Sequence, residues 1–410
     1  MPARQTSPAG PVVHVSTHYP PFLGGLEKVV ETLVAGRRKQ GLQVRVLTSL
    51  ERRPKAESCA DSAWVRRFRC FQVAGIPIMP GLLPELLRIP PGSVVHLHVS
   101  QPFLPEMVNI AHHLRGLPYI AHVHIDTGPA PGAGPAVRAY KALVLGRVLR
   151  AAATVVVFTE EQRWSVASNY DVPLTRIAVV PNGVDSAFFH NDQRFLHPKP
   201  RLLYVGRLSV EKNLPLLLQA LDGVSEQFET TLVGDGELDA VLRAAAARRG
   251  LDNVRFYGRA HGAELRELYR QADAFVLPSA REGMPLVLLE ALAMGLPIIA
   301  TDIPGTREIV RPGENGILVP LGDPRALRQA LLDVTGDPER YRKMSATSRQ
   351  LAESYSWEVV SAEFERLYAR PRRIQDRPGS HHGRRYLLLP RHSFSWSRRF
   401  PRRPAGGGRG

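Results

Sequence analysis

Short β-branched runs alternate with helical patterns from end to end of this chain, and no other feature narrows the fold as far. Residues 12–17 read as a buried strand, 27–40 carry apolar residues at helical spacing, and 43–48, 93–99, 119–124 and 154–158 repeat the strand theme. This alternation marks βαβ units around a parallel sheet. The rhythm breaks at Pro181-Asn182-Gly183, a turn signal, and at the polar, proline-containing stretch 191–201, which reads as a linker. It then restarts. Strands are expected at 202–205, 230–233, 254–257, 274–277 and 297–301, interleaved with helices at 214–221, 237–249, 263–271 and 285–293. Helices at 325–334, 338–355 and 357–369 follow.

The expected fold class is therefore α/β, with two Rossmann-like, doubly wound domains facing an interdomain cleft. The first spans residues 1–190 and the second 191–355. Ligands of open α/β sheets bind outside the carboxyl ends of the strands, so the cleft is the place to look for chemistry. A length of 410 residues and an apolar share of 44% give room for two such cores.

The net charge of +16 is unevenly spread. Twelve arginines and one aspartate lie in residues 370–410, so most of the charge belongs to a tail rich in Arg, Pro and Gly, expected to be disordered. Such a tail attracts RNA or anionic lipid, although a solvated extension without a partner is the plainer reading. Cys59 and Cys70 make no disulfide framework, which points to a reducing compartment. The first residues contain no apolar signal region, and the longest candidate span, 139–158, is interrupted by Lys141, Arg147 and Arg150. The expected location is cytoplasmic, with peripheral contact at the inner membrane face left open.

Several short motifs stand where strands end. Glu282-Gly283-Met284-Pro285-Leu286 precedes a helix that carries Glu290 among Leu288, Leu289, Ala291 and Leu292. A helix N-terminus favours phosphate, and an apolar setting is one that a merely solvated glutamate does not need. Gly206-Arg207 and Lys212 follow the first strand of the second half and offer a fork and a point charge to a diphosphate. Gly24-Gly25 lets a ligand approach the backbone closely, without the G-x-G-x-x-G spacing of a dinucleotide site. His122, His124 and Asp126 end one strand and His96 and His98 occupy its neighbour. These four histidines admit a zinc site, but the sequence offers no further ligand cluster, and the expectation is no metal. Gly234-Asp235-Gly236 is a strand-to-helix turn in which Asp235 caps the turn or sits near a ligand.

Taken in order, Gly24-Gly25, His124, Pro181-Asn182-Gly183-Val184-Asp185, Gly206-Arg207, Glu211-Lys212-Asn213, Gly234-Asp235-Gly236 and Glu282…Glu290-Ala291 resemble the retaining glycosyltransferases of family 4, which have the GT-B fold. The resemblance covers roughly residues 12–369, and Glu282 to Ala291 is close to the family's E-x7-E signature. It implies that Arg207 and Lys212 bind the donor diphosphate and that Glu290 holds the ribose. Glu282, with the amides of Gly283 and Met284, holds the transferred sugar and phosphate. The Gly24-Gly25 loop lines the opposite wall, and His124 contacts the sugar. Backbone from Tyr257 through Gly258 to Arg259 meets the base. Asp126, Gly206, Gly234, Asp235, Pro285 and Leu286 complete the donor site. Helix 356–369 crosses back onto the first domain. Met284-Pro285 departs from the Phe-Gly of many members.

The implied activity is transfer of a hexose from a UDP- or GDP-linked sugar to an acceptor hydroxyl with retention. The chain has no Asp-x-Asp triplet, so the fixed cations would replace a metal, and no cofactor is expected. The acceptor is a glycan, a lipid or a small molecule. Two other readings use the same residues: an epimerase of nucleotide sugars and a nucleotide-sugar-binding protein without catalysis. Nucleic acid is not an expected partner, because the body is only modestly charged and lacks an aromatic RNA-binding pattern. The oligomeric state is not legible.

Overall fold

A computed structural model of the chain describes residues 10–22, 24–50, 63–73, 76–124, 135–190 and 194–369, all within one compact unit, Met1–Arg372. Asp126, Cys59 and the basic tail lie outside the described residues.

The first half supplies β1 (Val12–Val15), β2 (Val44–Leu50), β3 (Val65–Arg69), β4 (Phe71–Val73), β5 (Ile76–Ile78), β6 (Val94–Val99), β7 (Tyr119–Val123), β8 (Thr154–Val157) and β9 (Ile177–Val179). The second supplies β10 (Arg201–Val205), β11 (Glu229–Val233), β12 (Val254–Gly258), β13 (Ala274–Leu277), β14 (Ile298–Thr301) and β15 (Gly316–Val319). Seven strands form one parallel sheet in the order β3-β2-β1-β6-β7-β8-β9, and six form another in the order β12-β11-β10-β13-β14-β15. β4 and β5 pair antiparallel as a separate hairpin. In both sheets the order reverses beside the first strand of the half, the switch point of a doubly wound fold. The central strands β1, β6, β7, β13 and β14 are buried at every position. That is why they read as apolar runs, broken only by histidines in β1, β6 and β7, rather than as alternations with charged residues.

Helix Trp357–Ala369 belongs to the first sheet although it follows the second in sequence. Trp357, Val360, Phe364, Leu367 and Tyr368 form a stripe along it that packs on Val12, Val94, Ile120 and Val156. Each fully buried side chain of this kind stabilises by about 1.5–3 kcal/mol. At the other end of the stripe the buried Arg37 Nη1 donates to both carboxylate oxygens of Glu365 at 2.7 and 2.6 Å.

The stretch read as a linker is corrected by the structure. Residues 191–193 lie outside the described set, but from Arg194 onward the chain is fastened to the second half. Arg194 is 8% exposed and its guanidinium donates to the carbonyls of Met294, Ala272, Tyr269 and Arg270 at 2.6–3.1 Å. Asp273, fully buried, accepts from His197 Nδ1 at 2.8 Å and from the Arg201 amide at 2.7 Å. Polar composition here reflects satisfaction of helix-end carbonyls, not solvent.

Candidate active site between the two sheets

The loops at the carboxyl ends of β10, β11, β12 and β13 carry Arg207, Asp235, Arg259 and Glu282 side by side. The first two are locked together. Gly234 has φ +133°, and a Cβ there would collide with the Gly206 carbonyl oxygen, so only glycine fits. The Leu208 amide donates to Asp235 O at 2.7 Å and the Leu238 amide to Leu208 O at 3.0 Å. Tyr204 Oη donates to the Arg207 carbonyl at 2.8 Å, and the Arg207 side chain is exposed above it. Asp235 and Arg259 form an exposed ion pair at 2.6 Å, and Gly258 O accepts from the Gly234 amide at 2.7 Å. Tyr257 points elsewhere, its exposed hydroxyl donating to Glu264 Oε1 at 2.7 Å.

Lys212 lies in the single turn Val210–Lys212, which Asn213 closes in a left-handed conformation at φ 50°. Ala280 N donates to Glu211 O at 2.8 Å, tying this turn to the loop after β13. Lys212 Nζ meets Glu282 Oε1 at 2.6 Å, with the two side chains 23% and 9% exposed. Two groups seventy positions apart thus form one pair at the strand ends.

Glu290 stands on helix Leu286–Ala293, whose N-cap Pro285 offers no side-chain cap. Its Oε2 accepts from Tyr269 Oη at 2.8 Å. Burial pushes the Glu290 carboxyl up to about 7, against the Tyr269 hydrogen bond and the charge of Lys28, which lower it, and with the charge of Asp185, which raises it. Lys28 and Asp185 belong to the first half, so Glu290 feels both sides of the cleft. Asp185 also caps its own short turn by accepting from the Ala187 amide.

The opposite wall is close. Helix Gly25–Lys39 begins with Gly24 as N-cap, which offers no side-chain cap, and the Glu27 carboxylate of the first turn stands against it, so that a Cβ on Gly24 would collide with Glu27 Oε2. A Cβ on Gly25 would lie 3.8 Å from Leu286 Cδ1, and one on Gly283 would lie 3.7 Å from the His124 carbonyl oxygen. Met284 is buried, its carbonyl accepting from Asn182 Nδ2 at 2.9 Å and its sulfur facing the Asn182 amide at 3.2 Å. Gly25, His124, Glu282, Gly283, Leu286, Glu290 and Lys212 are therefore brought around one cleft, Arg207 and Gly206 at its rim beside Gly234 and Asp235.

Three features escape sequence reasoning. Asn182, read as part of a turn, is the buried latch on Met284. Tyr269, an ordinary helix residue by pattern, holds Glu290. The histidines are not two separate pairs: His14, His96, His98 and His122, all buried, and the half-buried His124 just past β7 form one group on one face of β1, β6 and β7. The signal was a histidine at matching parity on three adjacent strands, visible only once their order is known. Burial holds all five imidazoles far below the ordinary histidine value, His124 at about 3. Candidate ligand nitrogens of His14, His96 and His98, and of His98, His122 and His124, lie within 4.8 Å of one another. Among the described residues no helix is long and apolar enough to cross a membrane.

A model of the glycosyl transferases group 1 matches residues 185–351, and a model of the glycosyl transferase 4-like domain matches residues 24–183. A phosphatidyl-myo-inositol mannosyltransferase of Mycobacterium leprae is 29% identical over 363 residues, covering 84% of this chain and 92% of its own. Among solved structures, sucrose-phosphate synthase from Thermosynechococcus elongatus aligns with a TM-score of 0.71 at 21% identity, over 88% of this chain and 98% of its own. Anabaena HepE in complex with UDP aligns with a TM-score of 0.70 at 19% identity, over 87% and 99%. The chain belongs to glycosyltransferase family 4 and is a hexosyltransferase of the GT-B fold.

Proposed function

We propose that the chain transfers a hexose from a nucleotide diphosphate sugar to an acceptor hydroxyl, with retention and without a metal. The observation that carries this reading is the Lys212–Glu282 pair at the mouth of β10 and β13, on the half whose Leu286 meets the Gly24-Gly25 helix start across the cleft. As the donor's anomeric bond breaks, negative charge collects on the departing diphosphate. Lys212, Arg207 and the amides at the two helix starts answer it in a site that needs no reorganisation during the reaction. Lys212 leaves Glu282 for the phosphates, and the released Glu282 carboxylate accepts from sugar hydroxyls beside Gly283 and Met284. Glu290 accepts from the ribose, backbone near Gly258 meets the base, and His124 faces the sugar. UDP is favoured as the first nucleotide to try, because UDP occupies a neighbour of the same fold. A glycan or lipid acceptor would enter from the first half.

The test is a thermal-shift screen of nucleoside diphosphates and nucleotide sugars, followed by assay of the best donor with candidate acceptors. Binding at a hundred times Kd should stabilise the protein by about 2.7 kcal/mol. Release of nucleoside diphosphate with glycoside formation supports the transferase. Free epimerised sugar nucleotide or sugar without glycoside would support the epimerase, and binding without turnover the binding protein.

Glu290 adds a pH dependence with a definite sign. Its carboxyl titrates near 7 in the folded protein against 4.5 for an ordinary glutamate, so its contribution to folding is complete below about pH 4.5 and is lost as pH rises through about 7. Glu290→Gln should therefore be more stable than the wild type above pH 7, by on the order of 3 kcal/mol, and equal to it at pH 4. Nucleotide binding should run the opposite way. A ribose hydroxyl donates best to the ionised carboxylate, so wild-type affinity should weaken as pH falls from 8 to 6 while that of Glu290→Gln stays flat. Calorimetric melting and nucleotide titration at four pH values check both; parallel curves for the two proteins would refute the assignment.

A further inference from the structure

Three of these histidines, the buried His14 and His98 and the half-buried His124, form a chain from the interior of the first sheet to the cleft. His14 Nδ1 lies 3.0 Å from His98 Nε2, and His98 Nδ1 lies 3.0 Å from His124 Nε2. The sheet puts them there. On β1 and β6, His14 pairs with His96, two residues from His98 on the same face; on β6 and β7, His98 pairs with His122, two residues before His124.

We propose that this chain sets the tautomer of His124: His98 is a positioning residue that leaves His124 protonated on Nδ1, as a hydrogen-bond donor to the cleft. A neutral imidazole has one N–H and one lone pair, and burial keeps all three rings neutral. Two contacts among three neutral rings admit only two arrangements, because a ring accepting at both nitrogens would be an anion and one donating at both a cation. Running outward, His14 Nδ1–H donates to His98 Nε2 and His98 Nδ1–H donates to His124 Nε2. His124 then keeps its proton on Nδ1. Running inward, His124 Nε2–H donates to His98, His98 Nε2–H donates to His14, and the last proton sits on His14 Nε2.

His14 Nε2 decides between them. It is buried and has no hydrogen-bond partner among the described residues. The inward arrangement would place an N–H there with no acceptor, the costlier kind of orphan; the outward one leaves only a bare lone pair. His96 and His122 do not alter the outcome. They form a second chain, with His96 Nδ1 at 2.7 Å from Tyr368 Oη and His96 Nε2 at 3.2 Å from His122 Nδ1. That chain stacks on the first, with the His96 and His98 ring centroids 4.2 Å apart.

The inference rests on the glycosyl-transfer reading for what His124 touches, but not for which nitrogen carries its proton. In that reading an Nδ1–H donor binds the lone pair of a sugar oxygen, and the wrong tautomer presents a lone pair instead. A metal at these nitrogens and the proton chain are alternatives, since a coordinating nitrogen cannot carry the proton it donates to its neighbour.

The experiment is a long-range ¹⁵N–¹H imidazole spectrum of the full chain labelled in histidine, for the wild type, His98→Leu and His98→Asn, with steady-state kinetics on the same samples. His124→Gln serves only to assign the His124 signals. The wild type should show His124 protonated on Nδ1. His98→Leu should show mixed tautomers and lose at least about tenfold in kcat with little change in donor KM. His98→Asn, whose amide N–H takes the place of Nδ1–H, should restore the single tautomer and most of the turnover. A wild-type His124 protonated on Nε2, an unchanged tautomer in His98→Leu, or a stoichiometric transition metal lost with His98 would each overturn the proposal. If the spectrum changes as expected and kcat does not, the placement of His124 on the donor sugar is wrong, and the positioning role goes with it.

Discussion

Lys212→Ala lowers kcat by about 10²- to 10³-fold, equivalent to roughly 3–4 kcal/mol of lost transition-state stabilisation, while donor KM changes far less. The reason is where the charge is needed. Substrate and transition state both carry the diphosphate, but only the transition state concentrates charge on the departing oxygen, so a cation aimed there acts mainly on kcat. Arg207→Ala follows the same pattern, and its exposed side chain makes it the cleaner variant because the fold loses little. Lys212→Ala has a second consequence. It leaves Glu282, 9% exposed, without the partner that meets it at 2.6 Å, so the ligand-free protein should melt a few degrees lower. Lys212→Ala with Glu282→Gln should recover the melting temperature without recovering turnover. Transfer rates and melting curves for the four proteins check this; turnover within threefold of wild type in both single variants would remove these cations from the reaction.

Arg194→Met destabilises the protein by about 3–5 kcal/mol, the largest stability effect expected of a residue outside the cleft. Four carbonyl oxygens lose their donor together, among them those of Tyr269, Arg270 and Ala272 at the end of helix Gly262–Gln271. Methionine fills the volume of the stem but supplies no N–H, and these carbonyls face the interior rather than water. Tyr269 also holds Glu290, so loosening that helix end should weaken nucleotide affinity as well. Urea unfolding and nucleotide titration measure the two effects. A loss under 1 kcal/mol would mean that water reaches these carbonyls.

The central strands of both cores were legible because β1, β6, β7, β13 and β14 are buried at every position and rich in β-branched residues, with histidine the one basic type in β1, β6 and β7. Of the four edge strands only β12 was. β3 reads Val-Arg-Arg-Phe-Arg, with charge suited to an edge strand; β9 has only three residues; and β15 is a four-residue strand that begins with glycine. The stretch before β10 was misread because a buried arginine capping four carbonyls has the same composition as a solvated loop. In the site, Lys212, Glu282 and Glu290 stood out by motif and setting, since a glutamate amid leucines asks for an explanation. Tyr269, Asn182 and the His14–His98–His124 chain did not, because their partners are 21, 102 and 84 or 26 positions away and meet them only through the sheet order.

The central claim is that fixed cations on the second half ease the departure of a diphosphate without a metal. The direct measurement is the turnover of one nucleotide hexose by EDTA-treated protein, compared with Lys212→Ala and Arg207→Ala under the same conditions. The prediction is a full wild-type rate in EDTA, unchanged by added Mg²⁺ or Mn²⁺, and a loss of about a hundredfold or more in each variant. A wild-type rate abolished by EDTA and restored by Mn²⁺, with the variants undiminished, would contradict it.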